Sequence, residues 1–294
     1  MLSGFKFYKW GVFFTLLILL FSFLLSDLSQ NILGLLFTLS IGLLHGANDL
    51  KIIQQFRKNQ TKKTLNYFAI YIGVVLIGGI LFYWVPEGAL PLFVLVSAFH
   101  FGEQHWEIRV HEIPLRSIFY LCYGGFLFTL LFFLQAAPTN KVIEQIVGIS
   151  IVDQVWKIAA LLLGLVVLIL QLRYERLRRF LVWEVLVFGL LALLFWNGTL
   201  LLAFATYFVF WHSLPSLQSQ MRYLYGNADH IAWRNYFKSG ALYWSLALIF
   251  LGIGYALIDF SQPYFLSLFF VFLAAITFPH ALVMELMFGK KEKI

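Results

Sequence analysis

Charge is scarce in this chain. Of its 294 residues, 12% are Asp, Glu, Lys or Arg and 61% are hydrophobic, against about 25% charged and 45–50% apolar in a soluble domain. Mean hydropathy is +0.84. This excludes a soluble globular enzyme, a disordered chain and a coiled coil. Cysteine is nearly absent. The single Cys122 excludes an internal disulfide and a cysteine-based zinc site, and its apolar neighbours make inert packing the expected role. Other signals are missing too. There is no low-complexity segment, no obvious internal repeat and no polar connection long enough for a separate domain, so residues 1–294 read as one integral membrane domain. Lys6 and Lys9 precede the first apolar run, but no small-x-small cleavage site follows it. That run reads as a membrane helix rather than a signal peptide.

Ten apolar segments are present: 9–26, 31–49, 66–85, 89–107, 117–135, 155–172, 179–196, 199–218, 241–258 and 264–288. At about 1.5 Å per residue each can cross a hydrocarbon core of about 30 Å. Ten-residue alternating strands, the mark of a membrane barrel, are lacking. The fold class expected is all-α, a polytopic membrane helix bundle of about ten transmembrane helices. Basic residues test the count, because they gather in cytoplasmic loops. Of the 21 Lys and Arg, all but Lys141 and Lys157 fall in one alternate set of loops, which includes both ends of the chain. Both termini are therefore expected in the cytoplasm, with the chain multi-pass in the inner (plasma) membrane. The same placement explains the net charge of +7 without a nucleic-acid partner.

Ionisable groups within a membrane are costly and mark function. Of seven histidines, His111 and His230 fall in loops. His45, His100, His212 and His280 lie on four helices that run in the same direction. Each precedes a basic residue (Lys51, Arg109, Arg222 or Lys290) by six to ten positions. That sets all four roughly 9–15 Å from the cytoplasmic boundary. Four imidazoles at one depth can converge on a metal, and Fe, Zn, Cu and Ni all suit such ligands. Asp49 follows His45 by four residues, Glu103 follows His100 by three and Glu285 follows His280 by five. Asp49 and Glu103 suit the role of carboxylates that orient a metal-bound imidazole. His105 points about 140° away from His100 on a helix. Glu184 sits near the same depth and can pair with an arginine. Pro215 and Pro279 lie beside His212 and His280, where each would free a backbone carbonyl and shape a site. No Ser–His–Asp or Cys–His arrangement is evident. The HxxxH and HxxHH clusters of membrane di-iron desaturases are absent as well.

Four stretches carry a family resemblance: His45-Gly46-Ala47-Asn48-Asp49, Ser97-Ala98-Phe99-His100-Phe101-Gly102, Trp211-His212-Ser213-Leu214-Pro215 and Pro279-His280. In this order and setting the chain resembles the Brp/Blh family of bacterial and archaeal membrane β-carotene 15,15′-dioxygenases. The resemblance implies a non-haem Fe(2+) enzyme that splits the central double bond of β-carotene with O2, giving two all-trans-retinal for a rhodopsin-type protein. It places iron ligands at His45, His100 and His212. Where many members carry a further histidine four residues on, this chain has Ser216, a poor iron ligand. His280, at matching depth, is the fourth ligand expected, with His105 or water as the alternatives. No catalytic residue beyond the metal site is expected. Phe99, Phe101, Phe210, Trp211 and Phe278 are expected to line a path for the polyene, with the lipid bilayer as its reservoir. The alternative reading is a proton- or metal-coupled membrane transporter with an intramembrane His/Asp/Glu site.

Overall fold

In hydrocarbon, backbone amides and carbonyls must bond to one another, which leaves a chain of long apolar segments the helix. The computed structural model describes residues 2–56, 64–107, 109–110, 115–257 and 264–291, and among them there is no strand. In chain order the helices are α1 (Leu2–Leu24), α2 (Asp27–Phe37), α3 (Asp49–Phe56), α4 (Thr64–Trp84), α5 (Pro86–Trp106), α6 (Arg116–Leu134), α7 (Ala136–Val147) and α8 (Asp153–Arg173). They continue with α9 (Glu175–Arg178), α10 (Leu181–Asn197), α11 (Leu200–Thr206), α12 (Leu214–Tyr225), α13 (His230–Leu257) and α14 (Phe265–Lys291). Two π-helical turns, Thr38–Gly42 and Tyr207–Ser213, extend α2 and join α11 to α12. Six helical stretches among the described residues are long and apolar enough to cross a membrane: Asn66–Trp84, Arg116–Leu134, Asp153–Arg173, Leu200–Tyr225, His230–Ala256 and Phe265–Phe288. Tyr8–Leu24 and Leu181–Asn197 are shorter apolar helices.

The structure differs from the sequence reading in three places, the first being that residues 219–225 and 230–240, His230 included, are not a connection but belong to α12 and α13. Segment 31–49 is not one helix. It runs through α2 and the first π turn, then breaks into a tight turn at 45–48 before α3. The stretch 136–154, expected as a connection, contains α7. Pro138 lies in the first turn of α7, where a missing N–H breaks no intrahelical bond. The basic residues Arg57, Lys58, Lys62, Lys63 and Lys293, used for topology, lie outside the described residues.

The chain divides into two compact units. The first comprises Met1–Gly42, Ser97–Lys141 and Ser150–Pro215. Its α6 packs along α8, α2 along α11 and α1 along α10. The C-terminal half of α5 meets α6 so closely that a Cβ on Gly102 would lie 2.0 Å from the Tyr120 carbonyl oxygen. One on Gly124 would lie 1.8 Å from that of Ala98. Glycine is required at both positions because backbone, not a yielding side chain, fills the space. Helix ends here are closed by side-chain amides. Gln30 donates to the Ser22 and Leu25 carbonyls at 3.0 and 3.1 Å and accepts from the Thr199 amide at 2.9 Å. Gln135 donates to the Phe195 and Gly198 carbonyls at 2.6 and 2.9 Å. Such ends must find partners where water is absent.

The second unit comprises Leu43–Val96, Val142–Ile149 and Ser216–Ile294. In it α14 packs against α3 and α4. Ile52, Val283, Met284, Met287 and Phe288 form one buried cluster. Phe82, Ala89 and Ala274 form another, with Phe278 against them.

Candidate functional site

Each unit buries two of the four predicted histidines. In the first, His100 comes from α5 and His212 from the π turn Tyr207–Ser213. Their ring centroids stand 4.7 Å apart with planes at 78°. His212 lies flat on Phe101, with centroids at 4.2 Å and planes at 15°, and beside Phe208 at 5.8 Å and 14°. A π turn carries an extra residue relative to an α turn and recurs at functional sites. Pro215 follows this one and cannot donate the amide bond an α-helix would need. Within the widened turn, the Ser213 hydroxyl donates to the Phe208 carbonyl at 2.8 Å.

In the second unit, His45 lies at the tight turn after the first π turn. The amides of Gly46, Ala47 and Asp49 donate to the carbonyls of Leu43, Leu44 and Gly46 at 3.3, 3.1 and 3.2 Å. His280 comes from α14, next to Pro279. The two rings stand 4.6 Å apart at 86°. His280 Nδ1 lies 2.9 and 3.0 Å from the Asp49 carboxylate oxygens, and the Tyr71 hydroxyl donates to Asp49 at 2.8 Å. The carboxylate therefore orients His280. The four-residue spacing of His45 and Asp49 in the sequence does not put them on one helix face, because the turn at 45–48 separates them. Donation from Nδ1–H sets the tautomer in which Nε2 carries the lone pair that could face an ion.

His45 has a backbone support that the sequence reading missed. Tyr236 on α13 donates its hydroxyl to the His45 carbonyl at 3.0 Å and to Gln220 at 2.6 Å. Asn48 donates to the Tyr236 carbonyl at 2.9 Å and accepts from Ser239 at 2.6 Å. The position of Asn48 inside the histidine motif was the one sequence signal for this support. Ser216, at the departure from the family pattern, is buried and accepts a hydrogen bond from Gln220 at 3.0 Å.

The other predicted residues are spread more widely. Glu103 is buried, whereas Glu285 is exposed. His105 joins Glu184, Arg109 and Tyr123 in the first unit, and Glu184 pairs with Arg109 at 2.9 Å, as expected of a membrane carboxylate. Phe101 stacks on His212. Phe210 stacks on Phe14 at 4.6 Å, and Trp211 donates to Thr15 at 2.9 Å. Phe99 packs toward Tyr120, and Phe278 toward Phe93. His230 is exposed, and His111 lies outside the described residues.

Each unit thus offers a buried pair of imidazoles, His100 with His212 and His45 with His280, of the kind that can bind a metal ion. Imidazole donors fit iron, zinc, copper and nickel. A family model described as beta-carotene 15,15′-dioxygenase matches residues 36–288. Comparison with curated proteins and with solved structures gave no significant match.

Proposed function

The chain belongs to the β-carotene 15,15′-dioxygenase family, and from that premise we propose that it is a non-haem iron dioxygenase of the membrane. It cleaves the central 15,15′ double bond of β-carotene with O2. The bond breaks, each carbon keeps one oxygen atom, and two all-trans-retinal result with no further reductant. The observation that carries the reading is the set of four buried histidines, paired two by two, in a chain of this family.

His45, His100, His212 and His280 hold Fe(2+), with His280 in place of the ligand that Ser216 cannot supply. Bound iron supplies the O2 chemistry that no side chain here provides. The residues do the rest. Asp49 holds the Nδ1 proton of His280 and so aims that ring. Tyr236 and Asn48 fix the backbone at His45. Glu103 supports His100. Phe99, Phe101, Phe210, Trp211 and Phe278 line the polyene path, and trimming them shifts the position of cleavage. The buried aromatic surroundings exclude water from a substrate that is itself insoluble in it. The chain spans the inner membrane ten times with both termini cytoplasmic, takes β-carotene from the bilayer and releases retinal to a rhodopsin-type protein.

The test is pigment extraction from a β-carotene-producing bacterial host expressing the chain, beside His45→Ala and His280→Ala variants. Wild type is expected to bleach the cells and accumulate retinal, and both variants to leave the pigment intact. Activity surviving in His280→Ala would remove the fourth ligand. Untouched β-carotene with a well-expressed wild type, iron and O2 present would overturn the reading and favour a coupled transporter.

A further inference from the structure

Within the first unit, a second buried polar cluster lies apart from the four histidines. The Glu184 carboxylate on α10 accepts from Arg109 at 2.9 Å, from the Tyr123 hydroxyl on α6 at 2.6 Å and from the Tyr8 hydroxyl on α1. Arg109 also donates to Tyr8 and lies over its ring at 3.9 Å. His105 Nε2 sits 2.9 Å from an Arg109 guanidinium nitrogen and 2.8 Å from the Tyr123 hydroxyl. Nε2 also lies 3.3 Å from a Glu184 carboxylate oxygen, so this ring nitrogen faces both members of the ion pair. The other ring nitrogen, Nδ1, points the opposite way, toward the π turn. That atom lies 3.3 Å from the hydroxyl of Tyr207, the first residue of the π turn that carries His212.

The cluster reaches the same turn a second time. The His105 ring lies nearly parallel to Trp211, at 6.3 Å and 26°, and Tyr8 meets Trp211 edge-on at 5.7 Å. Trp211 is the residue before His212, and its indole donates to Thr15 on α1. Residues 207 and 211 are the first and the fifth of the seven residues of the turn, and 211 directly precedes His212. A π turn is an uncommon conformation whose persistence needs support from its surroundings. A buried charge pair with a complete set of partners is stiff, because shifting any member strands a charge away from water.

We propose that His105 is a positioning residue: it transmits the Arg109–Glu184 ion pair to Tyr207 and Trp211 and so sets the register of the π turn and the direction of His212. This rests on the reading of His212 as a metal ligand. His105 itself touches no substrate and holds no metal.

The test is titration of the detergent-solubilised full chain with Co(2+), read by its visible absorption band, beside thermal melting of the metal-free protein. Tyr207→Phe removes one oxygen while its ring stays stacked on Phe101, at 6.0 Å and 13°, so the fold is kept. Tyr207→Phe and Glu184→Gln are expected to weaken Co(2+) binding about tenfold and to shift the band. A Gln145→Ala control, which loses only a bond to Ser267, is expected to leave both unchanged. If Glu184→Gln does not fold, Tyr207→Phe decides alone. Wild type that binds Co(2+), with Tyr207→Phe identical in affinity and band, would overturn the positioning role and leave the cluster a structural staple. Wild type and His212→Ala that both fail to bind would instead overturn the metal reading beneath it.

Discussion

In the first unit His212 lies flat on Phe101 at 4.2 Å, whereas in the second His280 hangs from the Asp49 carboxylate at 2.9 Å. Both rings are buried and both pair with a second imidazole at nearly the same distance. The means of orienting them differ. Stacking fixes a ring plane but leaves open which nitrogen carries the proton. A carboxylate fixes the plane and the proton together, and raises the basicity of the opposite nitrogen. The first unit supplies shape and the second supplies charge. Substitutions should therefore act differently in the two.

The largest effect is expected at Asp49. Asp49→Ala removes the acceptor for His280 Nδ1 and the partner of Tyr71. Metal affinity should fall about 10–100-fold, measured by Co(2+) titration, and retinal formation should fall with it. Asp49→Asn keeps a neutral acceptor and should lie between wild type and alanine. Equal binding in all three would break the comparison, since the carboxylate would then do no more than Phe101 does.

A smaller effect is expected at Asn48, which holds the second unit's turn through its backbone rather than through the ring. Asn48→Ala loses the bonds to the Tyr236 carbonyl and to Ser239. At about 1 kcal/mol for each net bond, the loss is about 2 kcal/mol, and more where a buried group is left unpaired. Thermal melting in detergent should show it, with weaker metal binding following from a looser His45. An unchanged melting temperature would mean that Tyr236, through its bond to the His45 carbonyl, holds the turn without Asn48.

The contrast between the units also explains what the sequence revealed. The helical class was legible because hydrophobic runs of membrane length admit no other structure. The four histidines were legible because helix direction and basic ends give each a depth. Their supports were harder to read. The type of Asp49 suits a carboxylate that orients a histidine, but its spacing points to His45, since the periodicity of 31–49 hides the turn at 45–48. The partner it does orient is 231 residues away. The π turn at 207–213 left no periodic mark, because one extra residue in an apolar run keeps the run apolar. Pro215 pointed to a break but not to its form. The approach of Tyr8 to Glu184 joins α1 to α10, and nothing local to either segment encodes it. The amphipathic α7 was not legible because a twelve-residue segment that carries Pro138, Asn140, Lys141, Glu144 and Gln145 is too short and too polar to read as a membrane helix.

The smallest effect expected is at Phe101, and it sharpens the comparison most. Phe101→Leu keeps a buried apolar side chain of similar bulk but loses the flat face beneath His212. An aromatic pair contributes about 1 kcal/mol beyond its buried area, so Co(2+) binding should weaken about fivefold. The fold should survive, since α5 and α6 are locked by the backbone contacts at Gly102 and Gly124. Phe101 also stacks near Tyr207 and Phe208, so leucine loosens three residues of the π turn at once. Phe101→Tyr keeps the face and should bind as wild type does. If leucine and tyrosine weaken binding equally, ring shape is not what orients His212, and the Tyr207 bond to His105 is left as its main constraint. If leucine weakens binding as much as Asp49→Ala, the distinction between a histidine held by shape and one held by charge falls.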